Sequence, residues 1–484
     1  MLSRGLIGSV LVLLGGLVVS TLPESAALMQ FHILQELRGH GAGRMLGLAF
    51  VMLGLGMLGA AWLALCRYVS HEKNNVEPDE ALSLVRHATL VWSAPLLLAP
   101  PLFSRDGWSY AAQGMLTRLD VSPYTHGPGV LQGGPIIEAV DPRWLFTPTP
   151  YGPLPLILGD LAAQGTGNPW LLVVIHRLIA LVGLALLAWA VPRLAQWTGM
   201  NPALATAIVI ASPLMLANGV GGLHNDLLMV GLMASALVVA VERSWFWGAV
   251  LGGAAAAVKL PGGLVCIGVA LVTLPLAATM LERVRRLALV GVVAVGFLVG
   301  LGVLWGLGIG WADALSVPGT VNTPLSVPTL IGGALDWTAE GLNTGLAPAT
   351  FLDVVRKVAQ VASVLAAAYI ALRWRTGDKE ASLQAVATVV GTTLLMSPVV
   401  HLWYFLWLVP FVAPLRLSRV GTTTVIAVSV IIGLVAPLDS SLHGAYLAIL
   451  LTSMLAAVVF GALLLTRSAR NRIERIADAD WLPV

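Results

Sequence analysis

Apolar runs about as long as a bilayer-crossing helix, roughly 20 residues, recur along the whole of this chain. That recurrence limits the fold more than any motif does. A segment in hydrocarbon must satisfy its own backbone polar groups, so only helices and closed barrels cross a membrane. A barrel would show alternating segments of about ten residues, and none are visible. The chain reads as an all-α polytopic membrane protein. Composition agrees: 57% of the 484 residues are hydrophobic and 11% are charged, against about 25% charged in soluble domains. Mean hydropathy is +0.87.

Breaks at charged, Gly and Pro residues divide the runs into about fourteen candidate spans, at roughly 20 residues each. They fall near 4–22, 44–67, 85–103, 170–191, 202–222, 226–242, 245–260, 261–281, 287–310, 352–373, 381–400, 402–415, 421–437 and 443–466. The first run ends without a clean small-residue cleavage site and reads as an uncleaved span. Every second loop is basic: "CRYVSHEK", Arg193, Arg243, "ERVRR", "RWRTGDK", "RLSR" and the closing "RSARNRIER". Basic loops stay in the cytoplasm, so both termini are expected there. The net charge of +3 therefore reports orientation rather than a nucleic-acid partner. Two long loops, 104–168 and 311–350, are expected to face outward. Both are rich in Gly, Pro, Trp and Asn, and loops of that length are usually functional. No soluble domain or fixed-period repeat is visible, so residues 1–484 read as one integral-membrane domain.

Charges at membrane depth default to a functional hypothesis, and they gather at the expected outer boundary. "SRDGWSY" opens the first long loop. Arg105 and Asp106 there read either as a salt-bridged helix cap or as a general base beside a cation. The aromatics, amides and Gly/Pro that follow suit a sugar, with flat faces to stack on and polar groups around its hydroxyls. His176 and Arg177 lie near the outer end of the fourth span, where Arg177 either snorkels or holds an anion. "GGLHNDLLM" sets His224, Asn225 and Asp226 in a short turn, as a polar hairpin or a binding element. Lys259 precedes Pro261 on the outer side, against the charge rule, either as an interfacial lysine or as the partner of an anionic headgroup. "SPVVHLWYF" places His401, Trp403 and Tyr404 at the outer end of a later span, where aromatics also belong to the interfacial belt. Arg356 and Lys357 break the charge rule too and reach either phosphate or lipid headgroups. Cys66 and Cys266 form no disulfide framework. There is no metal-ligand spacing and no nucleotide-binding motif, so energy must arrive with a substrate from the membrane or the outer side.

"FSRDGWSYAAQG", "SPYTHGP", "TPYGPL", "HNDLLM" and "KLPG", in that order, resemble the polyprenol-phosphate-mannose-dependent α-(1→6)-mannosyltransferases of actinobacteria. These belong to the GT-C superfamily of membrane glycosyltransferases. The resemblance runs from about Phe103 to Tyr404. It implies a GT-C-like fold in the plasma membrane, with the active site on the extracytoplasmic side. It also implies polyprenyl-phosphate-mannose as donor, with no cofactor beyond that lipid-linked co-substrate. The implied acceptor is a phosphatidylinositol-mannoside or lipomannan chain, as in lipomannan and lipoarabinomannan assembly. Asp106 matches the catalytic carboxylate that GT-C enzymes carry in an outer loop just after a membrane helix. Here two helices precede that one, where many members have none. Lys259, Arg177, Arg105 and Arg356 are expected to stabilise the donor phosphate, without a metal. His224, Asn225, Asp226, His401, Tyr404 and His176 would orient the sugars. Tyr124, Tyr151, Trp108 and the loop "NTPLSVPTLIGG" would shape the acceptor groove. Asp226 stays open as a rival base. The competing class is a secondary transporter or flippase of lipid-linked sugars, which should show broken helices at matching positions in two halves. Only the break at Lys259–Pro261 is visible.

Overall fold

The computed structural model describes residues 1–70, 77–313 and 321–438, with a few positions between 466 and 475, and the regular structure of the described residues is all helical. The chain begins with α1 (Leu2–Val19), the short α2 (His32–Gly39) and the long α3 (Gly41–Ser70). Glycines let α1 and α3 touch backbone to backbone: a Cβ on Gly8 would fall 2.7 Å from the Gly54 carbonyl oxygen. Such small-residue contacts replace the hydrophobic driving force that lipid removes. Arg38 on α2 donates to the carbonyls of Leu17 and Ser20, at 2.7 and 2.9 Å, satisfying the open C-terminus of α1. α4 (Pro78–Leu97) starts with proline at its first position and Asp79 and Glu80 in its first turn, the arrangement a helix N-terminus favours.

The first long loop is not a loop. α5 (Asp106–Arg118), α6 (Pro135–Ala139) and α7 (Pro153–Gly165) occupy it. α5 packs on α7 where Gly114 meets Gly159. Thirteen residues make a helix of about 20 Å, too short to cross a bilayer. Gly and Pro fix the ends of these helices rather than abolish them. α8 (Pro169–Thr198) returns as a long apolar helix. α9 (Pro202–Ile210) then bends by 53° into the π-helical turn Met215–Gly221. Ser212 and Pro213 occupy the break, and proline cannot continue a hydrogen-bond ladder. α10 (Asp226–Glu242) and α11 (Trp245–Val258) follow, and a 3-10 turn (Leu260–Leu264) leads into α12 (Val265–Val272).

In the second half, α13 (Met280–Leu304) opens with a capping box between Thr279 and Glu282. The expected second loop holds α14 (Val327–Gly341), capped by Ser326. α15 (Thr350–Arg373) and α16 (Lys379–Leu395) precede a 3-10 turn (Leu402–Trp407), α17 (Val409–Val412) and α18 (Arg419–Val435).

Among the described residues five helices, α1, α3, α8, α13 and α15, are long and apolar enough to cross a membrane, or six if the bent pair from Pro202 to Gly221 counts as one. The other expected spans that fall on described residues are shorter or broken, or, as in α4, long enough but less apolar. Pro261 interrupts the pair 245–260 and 261–281, and Pro410 divides 402–415 into short turns. The last expected span, 443–466, lies outside the described residues except Thr466. The core centres on α8, α9 and α10, with Trp62, Trp92 and Phe411 fully buried around them.

Candidate active site

Each wall of the site comes from a different element. Asp106 is the first residue of α5. The chain reaches it through Pro100 and Pro101 and the left-handed Phe103 at φ +62°, a conformation uncommon for a bulky residue. Gly107 then lets the end of α5 press against the turn before α10. A Cβ there would stand 2.6 Å from the Leu223 side chain and 2.7 Å from Pro101. Leu223 is itself left-handed at φ +56° and presents His224 toward α5. The result is an approach of 3.9 Å between His224 Nε2 and Asp106 Oδ2.

Asp226, two residues on, heads α10 and faces the end of α11. Its Oδ1 accepts from Lys259 Nζ at 2.9 Å and from Trp407 Nε1 at 2.6 Å. Lys259 leaves α11 in extended backbone at φ −154°. Its ammonium lies over the rings of Tyr404, Trp407 and Tyr151, at 4.2, 5.0 and 5.6 Å from their centroids. A desolvated cation over aromatic faces gains about 2 kcal/mol, and the paired carboxylate offsets the cost of burying it. The 3-10 turn supplies the far wall. Trp403 is sandwiched between His224 and His401, at ring separations of 4.0 and 4.3 Å, and Tyr404 stacks on Trp407 at 4.3 Å. Tyr110 and Tyr151 join their hydroxyls at 2.9 Å. Thr149 steadies this corner by donating to Gln113 and accepting from the Tyr151 N–H.

The two candidate bases differ in access. The Asp226 side chain is 0% exposed and Asp106 is 17% exposed. Burial raises the Asp106 carboxyl above the ordinary carboxylate range, against the pull of His224 and Lys259. A carboxylate shifted that way takes up a proton more readily.

Asp106, His224, Asp226, Lys259, Tyr151, His401 and Tyr404 thus converge. Asn225 sits in the same turn with its Nδ2 buried and unpartnered. His176 is buried, with its ring 6.2 Å from that of Tyr110. Arg105 lies beside Asp106, in the field of Asp141 and Arg143.

Four expectations need correction. Arg177 holds no anion: it is fully buried and donates to the carbonyls of Leu97, Ala99, Pro100, Val220 and Gly221. Five backbone oxygens leave its guanidinium no free edge. Trp108 is a core residue, and its Nε1 donates to the Thr21 carbonyl at 3.2 Å. Arg356 binds Thr329, Asn322 and the Val321 carbonyl, so it ties α15 to α14. Tyr124 packs in a separate cluster with Leu156, Leu307 and Trp311. Sequence reasoning missed Trp407, Tyr110 and Asn218. The tryptophan was hidden among other aromatics, and the signal for it was its spacing, one helical turn beyond Trp403 and Tyr404.

Residues 2–275 match the family described as "Alpha-(1->6)-mannopyranosyltransferase, N-terminal domain". This chain belongs to that family. A second segment of this mannopyranosyltransferase-family chain, 328–466, matches "MptB C-terminal domain". It is 31% identical over 456 residues to alpha-(1->6)-mannopyranosyltransferase A of Mycobacterium tuberculosis, covering 91% of this chain and 85% of that one. The Corynebacterium glutamicum enzyme of the same name is 36% identical over 222 residues, 45% of each chain. Alpha-(1->6)-mannopyranosyltransferase B of that organism is 27% identical over 388 residues, 74% of this chain and 63% of the relative. No solved structure matches. The site draws on both matched segments: Asp106, His224, Asp226 and Lys259 from the first, and Trp403, Tyr404 and Trp407 from the second.

Proposed function

We propose that this chain transfers mannose from polyprenyl-phosphate-mannose to a lipid-anchored mannan, a phosphatidylinositol-mannoside or lipomannan, forming α-(1→6) linkages on the extracytoplasmic face of the plasma membrane. The family supports mannosyl transfer over a carrier. The observation that carries the site assignment is the contrast between two neighbouring carboxylates. Asp226 is sealed against Lys259 and Trp407, and Asp106 keeps a partly exposed edge.

Asp106 takes the proton of the acceptor hydroxyl as that oxygen attacks the anomeric carbon. The leaving phosphate departs from the opposite face, so a single displacement inverts β to α. A phosphate needs its charge stabilised rather than a proton. Lys259 donates one N–H to Asp226, and an ammonium carries three donors. Lys259, with Arg105 beside the base, is the cation for the phosphate. Asn225, Tyr151, His401 and Tyr404 line the sugar positions.

The test is transfer of labelled mannose from polyprenyl-phosphate-mannose to an α-(1→6)-mannoside acceptor by purified protein. Asp106→Asn is expected to bind donor and lose about 10²–10⁴-fold in kcat. An active Asp106→Asn would move the base elsewhere, and an inactive wild type would remove the donor assignment.

A further inference from the structure

One group in this site has no part in the transfer as written. His224 Nδ1 lies 2.6 Å from the Asn218 carbonyl oxygen. A carbonyl only accepts, so Nδ1 carries the ring proton and donates it. The ring cannot easily turn away. Trp403 stacks on it, and the floor is Gly222, where a Cβ would stand 2.7 Å from Cε1. The remaining nitrogen, Nε2, is buried, has no hydrogen-bond partner and faces Asp106 Oδ2 across 3.9 Å. In the neutral ring Nε2 offers only a lone pair. A lone pair and an ionised carboxylate share no proton, and two acceptors keep such a distance.

We propose that His224 is a positioning residue whose Nε2 accepts a hydrogen bond from Asp106 once that carboxyl has taken the acceptor's proton. This rests on the mannosyl-transfer reading with Asp106 as base. The hydroxyl oxygen forms its bond to the anomeric carbon. The bond from that carbon to the phosphate oxygen breaks, and the phosphate leaves with the electron pair. The hydroxyl proton passes to Asp106, which becomes a donor, and the O–H···Nε2 bond forms only then. An interaction made only as the proton moves lowers the barrier rather than the ground state. Burial raises the Asp106 carboxyl and lowers the His224 imidazole, and both shifts work against passing the proton on to the ring. The other charged and titratable groups around the pair are Arg105, Asp226, Lys259, His401, Tyr404, Tyr110 and Tyr151. Lys259 is engaged with Asp226, and the two tyrosine hydroxyls of the α5 corner with each other.

The experiment is the pH dependence of kcat/KM for mannosyl transfer by the full chain, with Asp106→Asn as control. His224→Phe keeps a flat ring against Trp403 and removes the acceptor. It is expected to lower kcat about tenfold, with KM for donor little changed. The acid limb should move to lower pH by roughly one unit, because the protonated carboxyl loses its partner. Gly222→Ala, whose Cβ would crowd both the imidazole and the Asn218 carbonyl that holds it, keeps the histidine but displaces it and should move the limb the same way by less. It also reads the effect if His224→Phe does not fold. An unmoved limb with a uniform loss at every pH overturns the proposal, as a packing role would. A limb moving upward overturns it too, because His224 would then act as a cation. A silent wild type or a fully active Asp106→Asn removes the underlying reading, and this one with it.

Discussion

The Lys259–Asp226 pair is the most demanding contact in the molecule at the scale of single residues. Both side chains are removed from water, and each offsets the other's desolvation only while both are present. Lys259→Met leaves a buried carboxylate with Trp407 alone, and Asp226→Leu leaves a buried ammonium over tyrosine and tryptophan rings. Each is expected to cost about 3–5 kcal/mol, read as a lower unfolding temperature of the detergent-solubilised protein. The double variant should recover most of that loss, because no unpaired charge remains. It should not recover transfer, since the phosphate cation is gone. A double variant as unstable as the sum of the singles would show that the two residues act independently.

At the scale of elements, Arg177 is the comparable feature. From within α8 it draws together the end of α4 and the end of the π-helical turn, two helix termini whose last carbonyls have no helical partner. The same turn carries Asn218 and leads to His224, so the clamp also sets the backbone behind Asp106. Arg177→Met strands several buried carbonyls, at about 1–3 kcal/mol for each that stays unsatisfied. The expected outcome is loss of monodisperse folded protein. Any enzyme that survives should keep its KM for donor, and a selective rise in that KM would restore the anion role.

At the scale of the whole molecule, the site closes only when both matched segments are in place. α10 contacts the 3-10 turn Leu402–Trp407, and α12 contacts α16. These contacts bring Trp403 and Trp407 to His224 and Asp226. The proposed orientation puts this junction on the outer side. His126→Cys, in an exposed outer segment, should then react with a membrane-impermeant maleimide on intact cells. Arg285→Cys, in the basic stretch that opens α13, should react only after permeabilisation. Of the two native cysteines Cys66 is buried and Cys266 is partly exposed, so labelling is compared with the unsubstituted chain. The reverse pattern would place the proposed chemistry in the cytoplasm.

Helical class and the cluster of unusual polar residues were legible in the residues alone. Those properties are local: hydropathy and proline act on the few turns around them, and lipid forces a backbone to satisfy itself. "HNDLLM" and "KLPG" were therefore visible as polar groups in apolar surroundings. The role of each charge was not visible. Arg177 and Lys259 look alike in sequence, each a cation near a helix end. One donates to carbonyls 80 and 43 residues away. The other pairs with a carboxylate 33 residues away, whose second donor is 181 residues from it. The choice between Asp106 and Asp226 has the same cause. Access and partners are properties of what packs around a side chain, and folding brings those neighbours from parts of the chain that local pattern cannot relate.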